Sequence, residues 1–110
     1  MADDWRAQRL ARNEARFRDI NEQLERDLSQ LGVVGVQDFV CECGDRGCSE
    51  LVGLSLDEYE HVRTNPRWFA VVPGHVFPEV EVVVDRHARY EILEKIGATA
   101  AIAAEADVRS

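Results

Sequence analysis

Three cysteines, Cys41, Cys43 and Cys48, lie within eight residues of one another, and a histidine, His75, follows on a Pro73-Gly74 turn. No other feature restricts the fold as tightly, because four soft donors that serve one ion must be brought to a single point by the surrounding chain. Residues two apart on an extended segment project to the same side, so Cys41 and Cys43 can both offer sulfur from the end of a strand. Gly44 and Gly47 bracket Asp45-Arg46, giving two positions free to take positive φ where the chain wraps back to deliver Cys48. His75 is preferred as the fourth ligand because Pro73, Gly74 and Pro78 hold it on a tight turn after a predicted strand. His61 falls in a predicted helix and His87 in a hairpin turn, where an exposed imidazole is the plainer expectation. A Cys3His set closes a tetrahedral shell and leaves no position for substrate, which points to structural zinc and to no catalytic residue.

The competing reading makes the cysteines small buried hydrophobes and His75 a surface turn residue. Acidic and glycine residues crowd the same turn, a poor setting for buried thiols, and this favours the metal. Redox catalysis needs an exposed thiol of low pKa beside a base, and coordination would occupy all three sulfurs. An odd cysteine count, and the very tight ring a Cys41–Cys43 bond would close, argue against a disulfide framework. Reduced thiolates on metal fit better.

At 110 residues the chain is the size of one domain. Its 45% hydrophobic and 31% charged content is globular, while 7% aromatics leaves a light core that a metal would reinforce. No apolar run approaches the roughly 20 residues that span a bilayer, and the first residues show no leader pattern. No membrane contact is expected, and the cytoplasm is the expected location. The net charge of −8 disfavours a phosphate backbone as partner over most of the surface.

Residues 4 to 31 are predicted to form one helix, with Asp3 or Asp4 as N-cap, no internal Gly or Pro, and Gly32 as the stop. Leu10, Phe17, Ile20, Leu24, Leu28 and Leu31 fall in a narrow arc at about 100° per residue. The opposite surface carries Glu14 with Arg18 and Glu22 with Arg26, acid-first pairs that suit a solvated face. The stripe also fits a heptad-like seam interrupted by Asn13, so a helix-mediated dimer stands beside a monomer. Packing on the chain's own sheet is the simpler expectation for the C-terminal half. The N-terminal half is expected to project, and there Trp5, Arg9, Arg12 and Arg16 share one side as candidate partner-binding residues. An acidic protein would suit them, or a phosphate backbone with stacking by Trp5. A charge stripe is otherwise a solvated face.

Beyond Gly35, short β-rich runs over 36–41, 50–54, 68–72, 80–85 and 90–94 predict antiparallel strands, the last two joined as a hairpin. Ser55 to Glu58 form a capping box that opens a short helix through Arg63, which Pro66 ends. Glu79, Glu81 and Asp85 alternate along one side of the hairpin and are expected to face solvent. The fold class is therefore α+β: a long N-terminal helix, a small antiparallel sheet, one short helix and a zinc knuckle. The organisation is an amphipathic helix over 1–32, a zinc-stabilised α+β domain over 33–96, and a flexible or weakly helical alanine-rich tail over 97–110.

The order of the segments 13–22, 40–48, 56–63, 72–75 and 91–95 resembles a family of short, uncharacterised actinobacterial proteins. The Cys-x-Cys-x4-Cys run and the Pro-Gly-His turn are its most specific parts. The resemblance implies the metal set Cys41, Cys43, Cys48 and His75 and no substrate. Cys-x-Cys-x4-Cys is also similar to a zinc-binding segment trailing some methyltransferase domains, but the rest of the chain departs from that pattern and no methyl transfer is inferred. The expected function is a non-enzymatic, zinc-binding interaction or regulatory module with an unidentified protein partner. The alternatives are a nucleic-acid-binding regulator using the Trp5–Arg16 stripe and a small metalloenzyme with an open metal position.

Overall fold

An uninterrupted run without Gly or Pro gives the first helix, α1 (Ala2–Leu31), which Gly32 stops with a left-handed φ of 70° and an N–H bonded to Ser29 O. The computed structural model describes residues 2–109, with side chains from Trp5 onward. The helix starts two residues before the predicted Asp4, so Asp3 and Asp4 fall within its first turn and neither is the N-cap expected of them. Strands β1 (Gln37–Val40) and β2 (Leu51–Leu54) follow, then helix α2 (Leu56–Val62) and strands β3 (Trp68–Val71), β4 (Glu81–Arg86) and β5 (Glu91–Lys95). A third helix, α3 (Thr99–Glu105), completes an α+β architecture. Ser55 caps α2 through the reciprocal bonds of a capping box with Glu58, as the sequence predicts.

All strand pairs are antiparallel, but they form two sheets. β1 pairs with β2 from Gln37↔Leu54 to Val40↔Leu51, while β3 and β4 flank β5 in the order β3-β5-β4. The two sheets meet where the Glu42 N–H donates to Ala70 O at 2.9 Å. The main core lies between them and α2, with Phe39 stacked on Tyr59 at 4.6 Å and Val52, Leu54, Ile92 and Tyr90 around them. Leu24 and Leu28 of α1 pack against this cluster.

The face that α1 buries overlaps the predicted stripe only in part, at Leu10, Leu24 and Leu28. Ala11, Glu14, Ala15, Arg18, Asn21 and Glu22 are buried, whereas Ile20 and Leu31 of the apolar stripe are 48% and 76% exposed. Glu14, Arg18 and Glu22 were expected on the solvated side, and each is buried because its partner comes from a distant part of the chain. Glu14 and Glu81 close on the ammonium of Lys95, all three out of contact with water. Burial and the adjacent Glu81 push the Glu14 carboxyl well above its ordinary range, against the opposing pull of the Lys95 ammonium. Glu81 is thereby also removed from the solvent expected for it, while Glu79 and Asp85 remain exposed. Arg18 donates to Pro66 O at 2.6 Å and Ala103 O at 2.8 Å, with its guanidinium 4.5 Å from the centre of the Phe69 ring. Glu22 bonds Arg63, which also holds Asp107 at 2.5 Å. Arg26 stays exposed and bonds Gln23 instead.

These anchors explain the C-terminal segment. Its alanines offer little apolar area, yet it forms α3 and docks on α1 through Arg18, Arg63 and Asp107. The N-terminal half of α1, expected to project, is packed from Leu10 onward, and even Arg6 reaches Glu79.

Candidate metal centre

Cys41 directly follows β1, and its N–H donates to Glu50 O at 3.2 Å, continuing the β1–β2 ladder by one residue. Strand alternation sends Cys41 and Cys43 one way and Glu42 the other. Glu42 is wholly buried and accepts from Tyr59 Oη at 2.6 Å, Asn21 Nδ2 at 2.9 Å and the Ala70 N–H at 2.9 Å. Burial pushes its carboxyl up, and three donors offset that cost, so Glu42 pins the cysteine strand to α1, α2 and β3.

The loop then turns without the positive φ expected at Gly44 and Gly47; among the described glycines only Gly32, Gly35, Gly74 and Gly97 adopt it. Gly44 is needed for proximity. A Cβ there would sit 2.9 Å from Leu10 Cδ2 and 3.0 Å from Leu10 O, and Asn13 Nδ2 donates to Gly44 O at 3.0 Å. Asp45 shapes the return by accepting the Gly47 N–H at 2.8 Å on Oδ1 and the Cys48 N–H at 3.1 Å on its carbonyl. Across from it, Gly74 takes a φ of 90° and donates to Glu91 Oε1 at 2.9 Å, and the His75 N–H bonds Val72 O at 3.0 Å.

These two turns bring Cys41, Cys43, Cys48 and His75 together, their ligand atoms all within 4.8 Å of one another. The four are close enough to hold one metal ion. His75 Nδ1 is 3.5 Å from Cys41 Sγ and 3.6 Å from Cys48 Sγ. Its other nitrogen, Nε2, meets Glu50 Oε2 at 2.9 Å, the outer partner that typically orients a ligating imidazole. Cys41 Sγ also accepts the Val72 N–H at 3.2 Å. The thiols compete for ionisation: the Cys43 bond to Cys41 holds Cys41 down and drives Cys43 up, and burial raises Cys48. Three adjacent thiolates need a cation among them.

His61 and His87 are outside the cluster. His61 is exposed beside Trp68, with ring centres 5.5 Å apart, and His87 bonds Asp85 at 2.8 Å while stacking on Tyr90. Trp5, Arg9, Arg12 and Arg16 are all exposed along α1, opposite its buried face. Sequence reasoning missed Glu42, Glu50 and Glu91 as supports of the site. Alternation around Cys41 and Cys43 marks Glu42; nothing local marks the other two.

No protein-family model, curated protein or solved structure matches this chain. Among the described residues no helix is long and apolar enough to cross a membrane.

His75→Ala should weaken metal binding by orders of magnitude in a competition assay with a chromophoric chelator, while His61→Ala and His87→Ala leave it unchanged. Glu50→Gln should cost about tenfold, at the low end for an outer-sphere partner because Glu50 is solvent-exposed. Equal effects of the three histidine variants would remove His75 from the ligand set.

Proposed function

We propose that this chain is a non-enzymatic interaction module whose fold is clamped by structural zinc. One observation carries the reading. A tetrahedral zinc bonded at about 2.3 Å to sulfur and about 2.0–2.1 Å to nitrogen sets those atoms about 3.5 Å apart, and His75 Nδ1 lies 3.5 Å from the sulfur of Cys41 and 3.6 Å from that of Cys48. Three thiolates with one imidazole in that arrangement suit zinc among the common divalent ions. Four protein ligands leave no coordination position for a substrate, and Cys41 and Cys43 are shut away from solvent. Reduced cysteines in such a set favour a reducing compartment, consistent with a cytoplasmic protein.

The interaction role rests on the exposed side of α1, where Trp5, at 60% exposed, precedes three exposed arginines on a scaffold whose other face is fully engaged. Elemental analysis of the purified chain should give one zinc per molecule, with all three thiols unreactive until the metal is withdrawn. Absence of zinc, or thiols that react freely in the loaded protein, would reject the structural site.

A further inference from the structure

Arg9 of α1 and Arg46 of the metal loop line one cavity of about 390 Å³, with Leu10, Asn13 and Phe77 in its walls. Among the described residues neither guanidinium has a hydrogen bond or ion pair. Arg6, Arg63, Arg86, Arg89 and Arg109 are each taken up by a carboxylate of the chain itself, so the donors of Arg9 and Arg46 are among those left available. Arg12 and Arg16 extend the row at helical spacing, and no residue of α1 exposed between Trp5 and Arg16 is acidic. Asp45 also borders the cavity, but its Oδ1 is turned to the Gly47 N–H, and the two arginines leave the cleft net positive.

We propose that this cleft binds an acidic peptide segment, with Arg9 and Arg46 gripping its carboxylates and Leu10 and Phe77 receiving an aliphatic side chain between them. A guanidinium fork matches a carboxylate in two parallel hydrogen bonds, and two forks lining one cleft select two carboxylates at a matching spacing. The apolar floor adds the buried contact that separates a specific peptide from diffuse attraction. A nucleic acid fits less well: its affinity rests on many phosphate contacts at once and the cleft offers two cations, whereas two carboxylates of a short peptide need no more.

The inference rests on the structural role of the metal site, because Arg46 lies between Cys43 and Cys48 in the loop that lays Gly44 against Leu10. The test uses the zinc-loaded full chain and fluorescence anisotropy of a labelled, short glutamate-rich peptide with a central leucine. Arg9→Gln and Arg46→Gln should each weaken binding about tenfold, as for loss of one charge-assisted pair. Arg67→Gln, an exposed arginine outside the cleft, removes the same charge and should change nothing. Equal loss in all three variants would mean diffuse electrostatics and overturn the cleft. So would tighter binding of a single-stranded DNA oligonucleotide, equal binding of the glutamine version of the peptide, or a metal-loaded, folded chain that ignores the peptide. A chain that carries no zinc at all would instead remove the metal reading beneath it.

Discussion

Withdrawing the metal should abolish cooperative unfolding of this domain or lower its thermal midpoint by tens of degrees, and restoring zinc should bring both back. Structural zinc contributes on the order of 10 kcal/mol or more at neutral pH, while a whole domain is stable by about 5–15 kcal/mol, so a zinc held as proposed would account for a share comparable to the entire margin. The geometry explains why so much would go with it. The site joins the end of β1 to the turn after β3, and the loop between its cysteines is the surface that Gly44 lays on Leu10 of α1. Around the sulfurs the apolar support consists of little beyond Val71 and Leu93, with Val72, Val76 and Val83 at its margin. Without the ion, three thiols and an imidazole would face one another with no bond joining the two turns that carry them. Circular dichroism during heating, with and without a strong chelator at neutral pH, measures the effect. An unchanged midpoint after complete metal removal would show that the site is dispensable to the fold. Acid should reproduce the chelator's effect, because coordinating sulfurs must remain deprotonated and protons compete with the metal for them.

What could be read from the sequence followed from local chemistry. Strand limits, the α2 capping box and the hairpin β4–β5 came from period-two patterning and turn residues, which depend on neighbours a few positions away. The metal set was legible for the same reason: Cys41, Cys43 and Cys48 are close in sequence, and Gly74 marks the turn that presents His75. The buried face of α1 was not legible. Glu14 with Arg18 and Glu22 with Arg26 match helix-surface ion pairs in spacing, and only the fold shows that Lys95 serves Glu14 and that Arg63 serves Glu22. A charge at helical spacing reports a solvated face only when no opposite charge arrives from elsewhere. Here the small Ala11 and Ala15 let the other elements come close, and charged side chains fill the remaining space. The apolar stripe was real but lies to one side of the contact, which leaves Ile20 and Leu31 exposed.

Arg63→Ala should cost about 3–5 kcal/mol, the usual result of removing one member of a buried ion pair, or roughly 15 °C and more in midpoint for a chain of this size. Arg63 sits at the junction of three helices. Its Nε bonds Glu22 of α1, its Nη2 bonds Asp107 after α3 at 2.5 Å, and it caps the end of α2 itself. Burial opposes its charge, yet the two carboxylates outweigh burial and hold the guanidinium more firmly protonated than usual. Truncation would leave Glu22 and Asp107 buried with Arg109 as the main remaining cation, which is already shared with Glu25 and Glu60 at 2.9 and 2.5 Å. Buried carboxylates deprived of their cation bind protons more tightly when folded than when unfolded, so their contribution falls as pH rises. The deficit should therefore be larger at pH 7 than near pH 4.5, where protonation relieves it. Arg89→Ala provides the contrast, since its pair with Glu58 lies at the surface, where such pairs add little to stability. Denaturant titrations of both variants at the two pH values decide the matter. If Arg63→Ala cost no more than Arg89→Ala, apolar packing alone would hold α1, α2 and α3 together and the charged clasp would be incidental. A deficit that shrinks in acid would instead assign the docking of the alanine-rich α3, which has few large side chains of its own, to the charges at its base.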